Sequence, residues 1–416
     1  MLYSFQNPNL DVGCVDCLRK ADLRQMKILY VTPFNPLDKS CGGAIRSGKL
    51  WQELKKRGQV RTIVIPRSER IDTGAEEEYD VSFVDTRPVY SGRLPWFIYI
   101  AICGLIGMIM PGYDSKESIF RKLKITDGNF DLVVVRYLWC AAWCGTWKLG
   151  KCVVDVDDAP LDNFNTNIAQ NYNWYIRPAV RLIFLRWQYL ICRRVYGLWV
   201  SNGKDVRVLE KYNRNVSYLP NVSNAPTSAE YAPTGDAEFV MTVGNLSFTP
   251  NYVGIDRFLT LSWPSIHNAH KELKYLIAGK GAPKDFLDRW SRVEGVQVLG
   301  FVDSLEALYA KCLAVVVPLW EGGGTSVKTI EAIKYGCHVV ATSVGVRGLS
   351  DNQIDQFDIT VIRTNENFKS AIDRLVSMTA TERLQGRIKI FASAKFLNSD
   401  TEITNSVDSV LLKALL

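Results

Sequence analysis

Histidine is scarce in this chain: three in 416 residues, at 267, 270 and 338. The first half therefore has no imidazole to serve as a general base or metal ligand. Cys14 and Cys17 have the spacing of half a zinc site, but no second ligand pair follows at usable spacing, so no metal is expected. The other cysteines, at 41, 103, 140, 144, 152, 192, 312 and 337, are scattered, several of them inside apolar runs. They read as buried thiols of a reducing compartment. Neither candidate first strand leads into Gly-x-Gly-x-x-Gly, which argues against a nicotinamide dehydrogenase. Dense Lys/Arg runs interleaved with aromatics are missing, which argues against nucleic acid as partner. Residues 1–26 hold charges throughout and no apolar h-region, so no cleavable signal peptide is expected.

One apolar run, Leu94 to Met110, spans 17 residues, short of the roughly 20 a membrane-crossing helix needs. Two readings stay open for it: a buried helix, or a membrane-dipping helix with Trp96 and Tyr99 as interfacial anchors. The chain is 47% hydrophobic and 22% charged, enough to bury a large interior, and its length suggests two large domains. A formal charge of +7 leaves room for a basic patch facing phosphates or an anionic membrane.

Apolar runs alternate with helical patterns along most of the sequence. In the first half the runs are 27–33, 60–66, 130–136, 152–157, 198–201 and 216–221, with helical patterns at 44–57 and about 166–195. In the second half they are 239–244, 275–278, 296–299, 314–318 and 338–341. Runs this uniformly apolar, separated by helices, predict parallel sheets covered on both faces. The expected fold class is α/β, with two Rossmann-like doubly wound sheets facing each other across a cleft. Residues 1–25 read as an extension, 26–221 as the first domain, 222–237 as a small, polar, proline-interrupted linker and 238–395 as the second domain. A C-terminal helix in 396–416 is expected to pack back towards the first. The helical pattern from 177 to 194 carries Arg177, Arg181, Arg186, Arg193 and Arg194 among apolar residues. It reads either as a solvated face or as a membrane or acceptor surface.

The segment 315–332 carries the chemistry. An apolar strand ends at Pro318, Gly322, Gly323 and Gly324 follow Glu321, and a helix is expected to start near Thr325 or Ser326. Glycines let backbone approach a ligand, and a helix N-terminus offers unpaired N–H groups and a positive dipole to an anion. Lys328 and Glu331, three apart on that helix, share one face, where a cation meets phosphate and a carboxylate accepts from ribose hydroxyls. The plainer alternative is a glycine-rich turn followed by a surface ion pair.

This segment resembles the donor-binding motif of GT-B glycosyltransferases of family 4, which are retaining enzymes, in the branch with a Gly-Gly-Gly-Thr-x-x-Lys-x-x-Glu pattern. The similarity extends to residues 243–246, 249–251, 277–281, 299–302 and 343–349. The resemblance implies that Glu331 holds the nucleotide ribose and that the backbone of Gly322, Gly323, Gly324, Thr325 and Ser326 binds diphosphate and sugar hydroxyls. It also implies that Gly42 and Gly43 approach the diphosphate from the first domain, their alternative being an ordinary strand-helix turn. Gly300, Phe301 and Val302 would contact the base. Glu321 is the candidate partner of the donor sugar, although a strict spacing of seven before Glu331 falls on Gly323. Where the family commonly has Arg and Lys after the second domain's first strand, Gly244 is followed by Asn245 and Asn251; Lys328 is expected to supply the missing charge. Asp157, at the end of a first-domain strand, reads as an acceptor contact, or as a cap, as does Asp158.

The resemblance thus implies a retaining glycosyltransferase that moves a hexose-type sugar from a nucleoside-diphosphate sugar, UDP favoured and GDP possible, without a metal or other cofactor. The expected acceptor is a glycan or lipid-linked acceptor of bacterial-type polysaccharide, lipopolysaccharide or glycoconjugate synthesis. The expected place is the cytoplasm, peripheral at the inner face of the membrane through 94–110 and 177–194. The alternatives are a sugar-nucleotide epimerase of the same fold and an inactive membrane-associated scaffold.

Overall fold

The computed structural model describes residues 26–38, 42–65, 81–83, 129–144, 146, 151–169, 172–223, 226, 231–395, 397 and 399–415. The extension 1–25, the paired Cys14 and Cys17, and the apolar run 94–110 lie outside the described residues.

Among the described residues, thirteen strands form two all-parallel sheets. The first holds β1 (Met26–Thr32), β2 (Gly58–Val64), β3 (Val81–Phe83), β4 (Leu132–Arg136), β5 (Cys152–Val156), β6 (Gly197–Val200) and β7 (Val216–Tyr218), in the order β3-β2-β1-β4-β5-β6-β7. The second holds β8 (Phe239–Val243), β9 (Lys274–Ala278), β10 (Val296–Gly300), β11 (Cys312–Val317), β12 (Val339–Thr342) and β13 (Thr360–Ile362), in the order β10-β9-β8-β11-β12-β13. Strands β4, β5 and β11 are buried along their whole length, because helices cover both faces. The three-residue strands β3 and β13 were not foreseen: at that length no apolar run marks them.

Each strand order reverses once, between β1 and β4 and between β8 and β11. Open sheets of this kind leave a crevice beyond the carboxyl ends of their strands at that reversal. The loops after β1, β4, β8 and β11 carry Gly42, Tyr137, Gly244 and the triglycine.

The helical pattern across 166–195 is broken in the structure. A π-helical turn covers Phe164–Ile168, and the long helix runs only over Arg177–Arg194, with proline in its first turn. Pro178 cannot sit inside a helix without losing a hydrogen bond, so it starts one instead.

The stretch 231–237 belongs physically to the second sheet's domain. The Tyr231 hydroxyl donates to the Tyr335 carbonyl at 2.8 Å, and Thr234 Oγ1 to the Ala310 carbonyl at 2.8 Å. In the opposite sense, the helix Asp400–Leu415 lies on the first sheet. Its Ile403, Val407, Val410 and Leu411 pack with Met26, Ile28, Tyr30 and Trp199. Ion pairs Arg57–Asp408 at 2.7 Å and Lys49–Asp400 at 2.6 Å fix its edge.

Arg387 ties the second domain together. Its guanidinium, 1% exposed, donates to the carbonyls of Tyr309 at 2.5 Å, Ala310 at 2.6 Å and Thr234 at 3.0 Å. Truncation leaves the Ala310 carbonyl with Thr234 Oγ1 but takes the guanidinium from the Tyr309 and Thr234 carbonyls, each costing about 1–3 kcal/mol. Arg387→Met is therefore expected to lower the stability of the second domain by about 2 kcal/mol or more, read from the guanidinium unfolding midpoint; an unchanged midpoint contradicts this.

Candidate active site

The triglycine loop leaves β11 through Pro318 and enters the helix Val327–Lys334 with Ser326 as N-cap. Gly322 and Gly324 have φ of 140° and 62°, conformations that side chains rarely adopt. Neighbours crowd all three glycines. A Cβ on Gly322 would lie 2.8 Å from Arg347 Nη2, and on Gly323 or Gly324 it would lie 2.7 or 2.5 Å from Asp158 Oδ1. The loop is thus pinched between the 344–348 turn of its own domain and the end of β5 in the other. Thr325 Oγ1 donates to the Ser201 carbonyl at 2.5 Å, and Ser201 Oγ to the Asp157 carbonyl at 2.7 Å, which joins the loop to the first domain. The glycines serve the contact between domains as well as any ligand.

Ser326, the N-cap, is already bonded within the protein. Its N–H already donates to the Arg347 carbonyl at 3.0 Å, and its hydroxyl bonds Thr329 Oγ1 at 2.9 Å. Its carbonyl accepts from Thr329 and Ile330. The N–H groups of Val327 and Lys328 are the ones left at this helix start.

Lys328 reaches back over the second domain's first loop. Its Nζ donates to Asn251 Oδ1 and sits 3.3 Å from where a Gly244 Cβ would be. Asn251 in turn donates to the Asn245 carbonyl at 2.6 Å, and Asn245 Oδ1 caps the turn by accepting from Ser247 N at 3.0 Å. Burial, reinforced by the Arg347 guanidinium, pushes the Lys328 ammonium down to about 7. Arg347 lies on the far side of the loop, its Nη2 donating to the Gly323 carbonyl at 2.7 Å. Arg347 therefore meets the triglycine directly, while Lys328 meets the loop after β8.

Glu331, 9% exposed, follows Lys328 one turn on, and its charge helps to hold the Tyr309 and Tyr335 hydroxyls above their ordinary range. Glu321 is exposed at the head of the loop. Beyond β10, Gly300 has φ of 70° and open space around it, Phe301 is 58% exposed under Lys280, and Val302 packs on the core. On the first domain, among the described residues no atom beyond its chain neighbours lies within 4 Å of a Cβ on the exposed Gly42, whereas one on Gly43 would meet the Phe34 ring at 2.6 Å. Gly43 is therefore explained by packing.

Asp157 does not stand free in the cleft, as an acceptor-contacting carboxylate would. Arg136 Nη2 holds it at 2.5 Å and Arg46 Nε at 3.1 Å. The same two arginines clamp the buried Asp155 at 2.6 and 3.1 Å, and Arg46 also donates to the Pro220 carbonyl at 2.9 Å. The neighbouring Asp158 is the carboxylate that meets the triglycine. Burial, then repulsion from Asp157, pushes it up to about 7. Tyr137, at φ 71°, follows Arg136 at the first sheet's reversal, its hydroxyl accepting from Arg136 Nη2 at 3.1 Å. Sequence reasoning missed Tyr137, Ser201 and Arg347 as site residues; the only signal for Arg347 was its place between Gly345 and Gly348. Among the described residues no group of His, Cys, Asp or Glu is placed to hold a metal ion.

Two parallel doubly wound sheets meeting across an anion-ready glycine loop define the GT-B architecture. Residues 237–378 match the family model described as glycosyl transferases group 1. Among solved structures, sucrose-phosphate synthase from Thermosynechococcus elongatus superimposes with a TM-score of 0.65 at 13% identity, over 94% of this chain and 99% of that one. HepE of Anabaena, in complex with UDP and glucose, gives 0.63 at 13% identity over 94% and 100%. WaaG, a glycosyltransferase involved in lipopolysaccharide biosynthesis, gives 0.61 at 11% identity over 92% and 99%. No curated protein matches the sequence. The chain has the GT-B glycosyltransferase fold.

The contacts of the loop distinguish its glycines. The three atoms nearest a Cβ on Gly323 all belong to the Asp158 side chain, so Gly323→Ala is expected to cost about 1–3 kcal/mol and to be largely relieved by Asp158→Ala. Gly324→Ala also meets the Asp157 carbonyl at 2.9 Å and should not be relieved. Urea unfolding of the four variants measures both; equal rescue of the two alanines contradicts the assignment.

Proposed function

We propose that this chain is a retaining glycosyltransferase that moves a hexose-type sugar from a nucleoside-diphosphate sugar to a glycan or lipid-linked acceptor. The observation that carries the reading is Lys328: a buried ammonium held against Asn251 and Gly244, with burial and a nearby guanidinium both opposing its charge. An anion beside such a group stabilises it. A diphosphate there neutralises Lys328, accepts from the N–H groups of Val327 and Lys328, and lies in the helix dipole.

Transfer builds negative charge on the departing nucleoside diphosphate, and cations fixed beforehand stabilise that charge as it forms. Lys328 and Arg347 supply it here. In a retaining same-face reaction the leaving phosphate takes the acceptor's proton, so the protein's part is to bind, orient and exclude water. Glu331 fits the ribose hydroxyls, Gly300, Phe301 and Val302 the base, and Glu321 the donor sugar. Phe301 offers an exposed ring for stacking. UDP is favoured over GDP because HepE, one of the structural relatives, holds UDP.

The same reading places the protein against a membrane surface, in the synthesis of a polysaccharide, lipopolysaccharide or other glycoconjugate. Among the described residues no helix is long and apolar enough to cross a membrane. The support is the surface around the helix Arg177–Arg194, where Trp174, Tyr175 and Leu182 are 79%, 63% and 69% exposed beside the exposed Arg177, Arg181 and Arg186. Aromatic rings with arginines suit an anionic headgroup layer.

UDP or GDP at 100 times its dissociation constant should stabilise the native protein by about 2.7 kcal/mol, visible as a raised melting temperature. Lys328→Met and Glu331→Ala are each expected to weaken that response at least about tenfold, the loss of one charge-assisted contact. No response from either nucleotide in the folded protein contradicts the proposal. Separately, the double change Arg177→Glu and Arg181→Glu is expected to abolish co-sedimentation with phosphatidylglycerol vesicles; retained binding removes this surface from the account.

A further inference from the structure

The side chain that accepts from the Lys328 ammonium is an amide. Asn251 sits in the first turn of the helix Thr249–Leu261, after Pro250, and is 7% exposed. Both ends of its amide are engaged: Nδ2 donates to the Asn245 carbonyl at 2.6 Å, and Oδ1 accepts from Lys328 Nζ. Its own N–H donates to the Phe248 carbonyl at 2.9 Å, so backbone and side chain are tied to the same turn. Turning the amide over would set its NH2 against the ammonium and its oxygen against a carbonyl. Gly244 closes the other side, where a Cβ would lie 3.3 Å from Lys328 Nζ and 3.5 Å from Asn251 Nδ2.

An amide and a carboxylate of the same shape would hold this ammonium to opposite effect. The amide oxygen orients Nζ and leaves its charge uncompensated, so its attraction for an incoming anion is intact. A carboxylate would pair with the ammonium before any ligand arrived, and a diphosphate would then meet a like charge beside the lysine. It would also take from the Asn245 carbonyl its donor. An apolar side chain would leave the long lysine stem without a fixed end. Arg347 opposes the ammonium's charge from the 344–348 turn, and Glu331 follows one turn on along its own helix. The amide between them adds position and no charge.

We propose that Asn251 is a positioning residue for the donor's diphosphate, acting through Lys328: it holds the ammonium between the loop after β8 and the helix start without neutralising it. The assignment rests on the reading of Lys328 as a diphosphate ligand and names the residue that keeps it available. The neutrality of Asn251, and not only its hydrogen bonds, is what the site uses.

The test compares the full-length wild type with Asn251→Asp and Asn251→Leu. UDP binding is followed by calorimetry near pH 8 in two buffers of different ionisation enthalpy. The Lys328 titration is followed without nucleotide by NMR of carbon-13-labelled lysine side chains, its signal assigned by Lys328→Met. Asn251→Asp is expected to raise the Lys328 midpoint by about one pH unit or more, to weaken UDP at least about tenfold, and to lose most of the proton uptake, because its lysine is already charged. Asn251→Leu is expected to weaken UDP about fivefold, the loss of one hydrogen bond to a charged group, and to keep the uptake. A merely structural role would weaken both variants alike and leave midpoint and uptake as in the wild type. That result, or UDP binding by Asn251→Asp as tight as the wild type's, overturns the assignment. Should Asn251→Asp fail to fold, unchanged UDP affinity in Asn251→Leu overturns it. Failure of the wild type to bind UDP while Asn251→Asp still raises the midpoint overturns the donor reading and leaves the hold of Asn251 on Lys328 standing.

Discussion

A buried lysine organises the second domain's edge of the cleft. Lys328 is placed by the helix that starts at Val327, and that helix is aimed by β11 and the glycine loop. Its ammonium ends where Asn251 and Gly244 come off β8, so the two loops at the sheet's reversal converge on one point. Keeping a lysine charged there costs free energy, because burial and Arg347 both oppose it. A diphosphate beside it would relieve that cost, which is the ground for the proposed donor site. It also explains the two asparagines: with the cation arriving from the helix, the loop after β8 needs a neutral acceptor for it.

The first domain meets that site with charge already settled. Asp155 and Asp157 are neutralised by Arg46 and Arg136, and this buried cluster fixes the ends of β4 and β5 against the turn at Pro220. Asp158 is left facing the glycines, and Ser201 receives Thr325. The chain crosses between the domains twice, after β7 and again before the helix Asp400–Leu415. Relative movement of the domains, of the kind that shuts water out of a reaction, must bend at those two places.

Much of this architecture is legible in the sequence, for a reason of physical chemistry. A strand buried on both faces must be apolar throughout, so β4, β5, β8 and β11 announce themselves as runs. Strands β3 and β13 are too short to do so, and Pro178 ends a helical pattern that periodicity alone carries through. The donor loop is legible because glycines, helix start, lysine and glutamate are consecutive. Arg347 and Ser201 are not, since each comes from a separate segment and meets the loop only when the sheets bring the segments together. The capture of Ser326 N–H by the Arg347 carbonyl is likewise a tertiary fact. Asp157 and Asp158 are chemically alike and adjacent; only the reach of Arg136 and Arg46 decides which is neutralised.

The central claim is that Lys328 awaits a phosphate, and proton uptake tests it most directly. Near pH 8 a lysine held at about 7 is mostly neutral, and a diphosphate beside it raises its affinity for a proton. Calorimetry of UDP binding near pH 8, in two buffers of different ionisation enthalpy, should report uptake of about one proton per UDP, lost in Lys328→Met. Binding without proton uptake, or uptake that persists in that variant, would contradict the account.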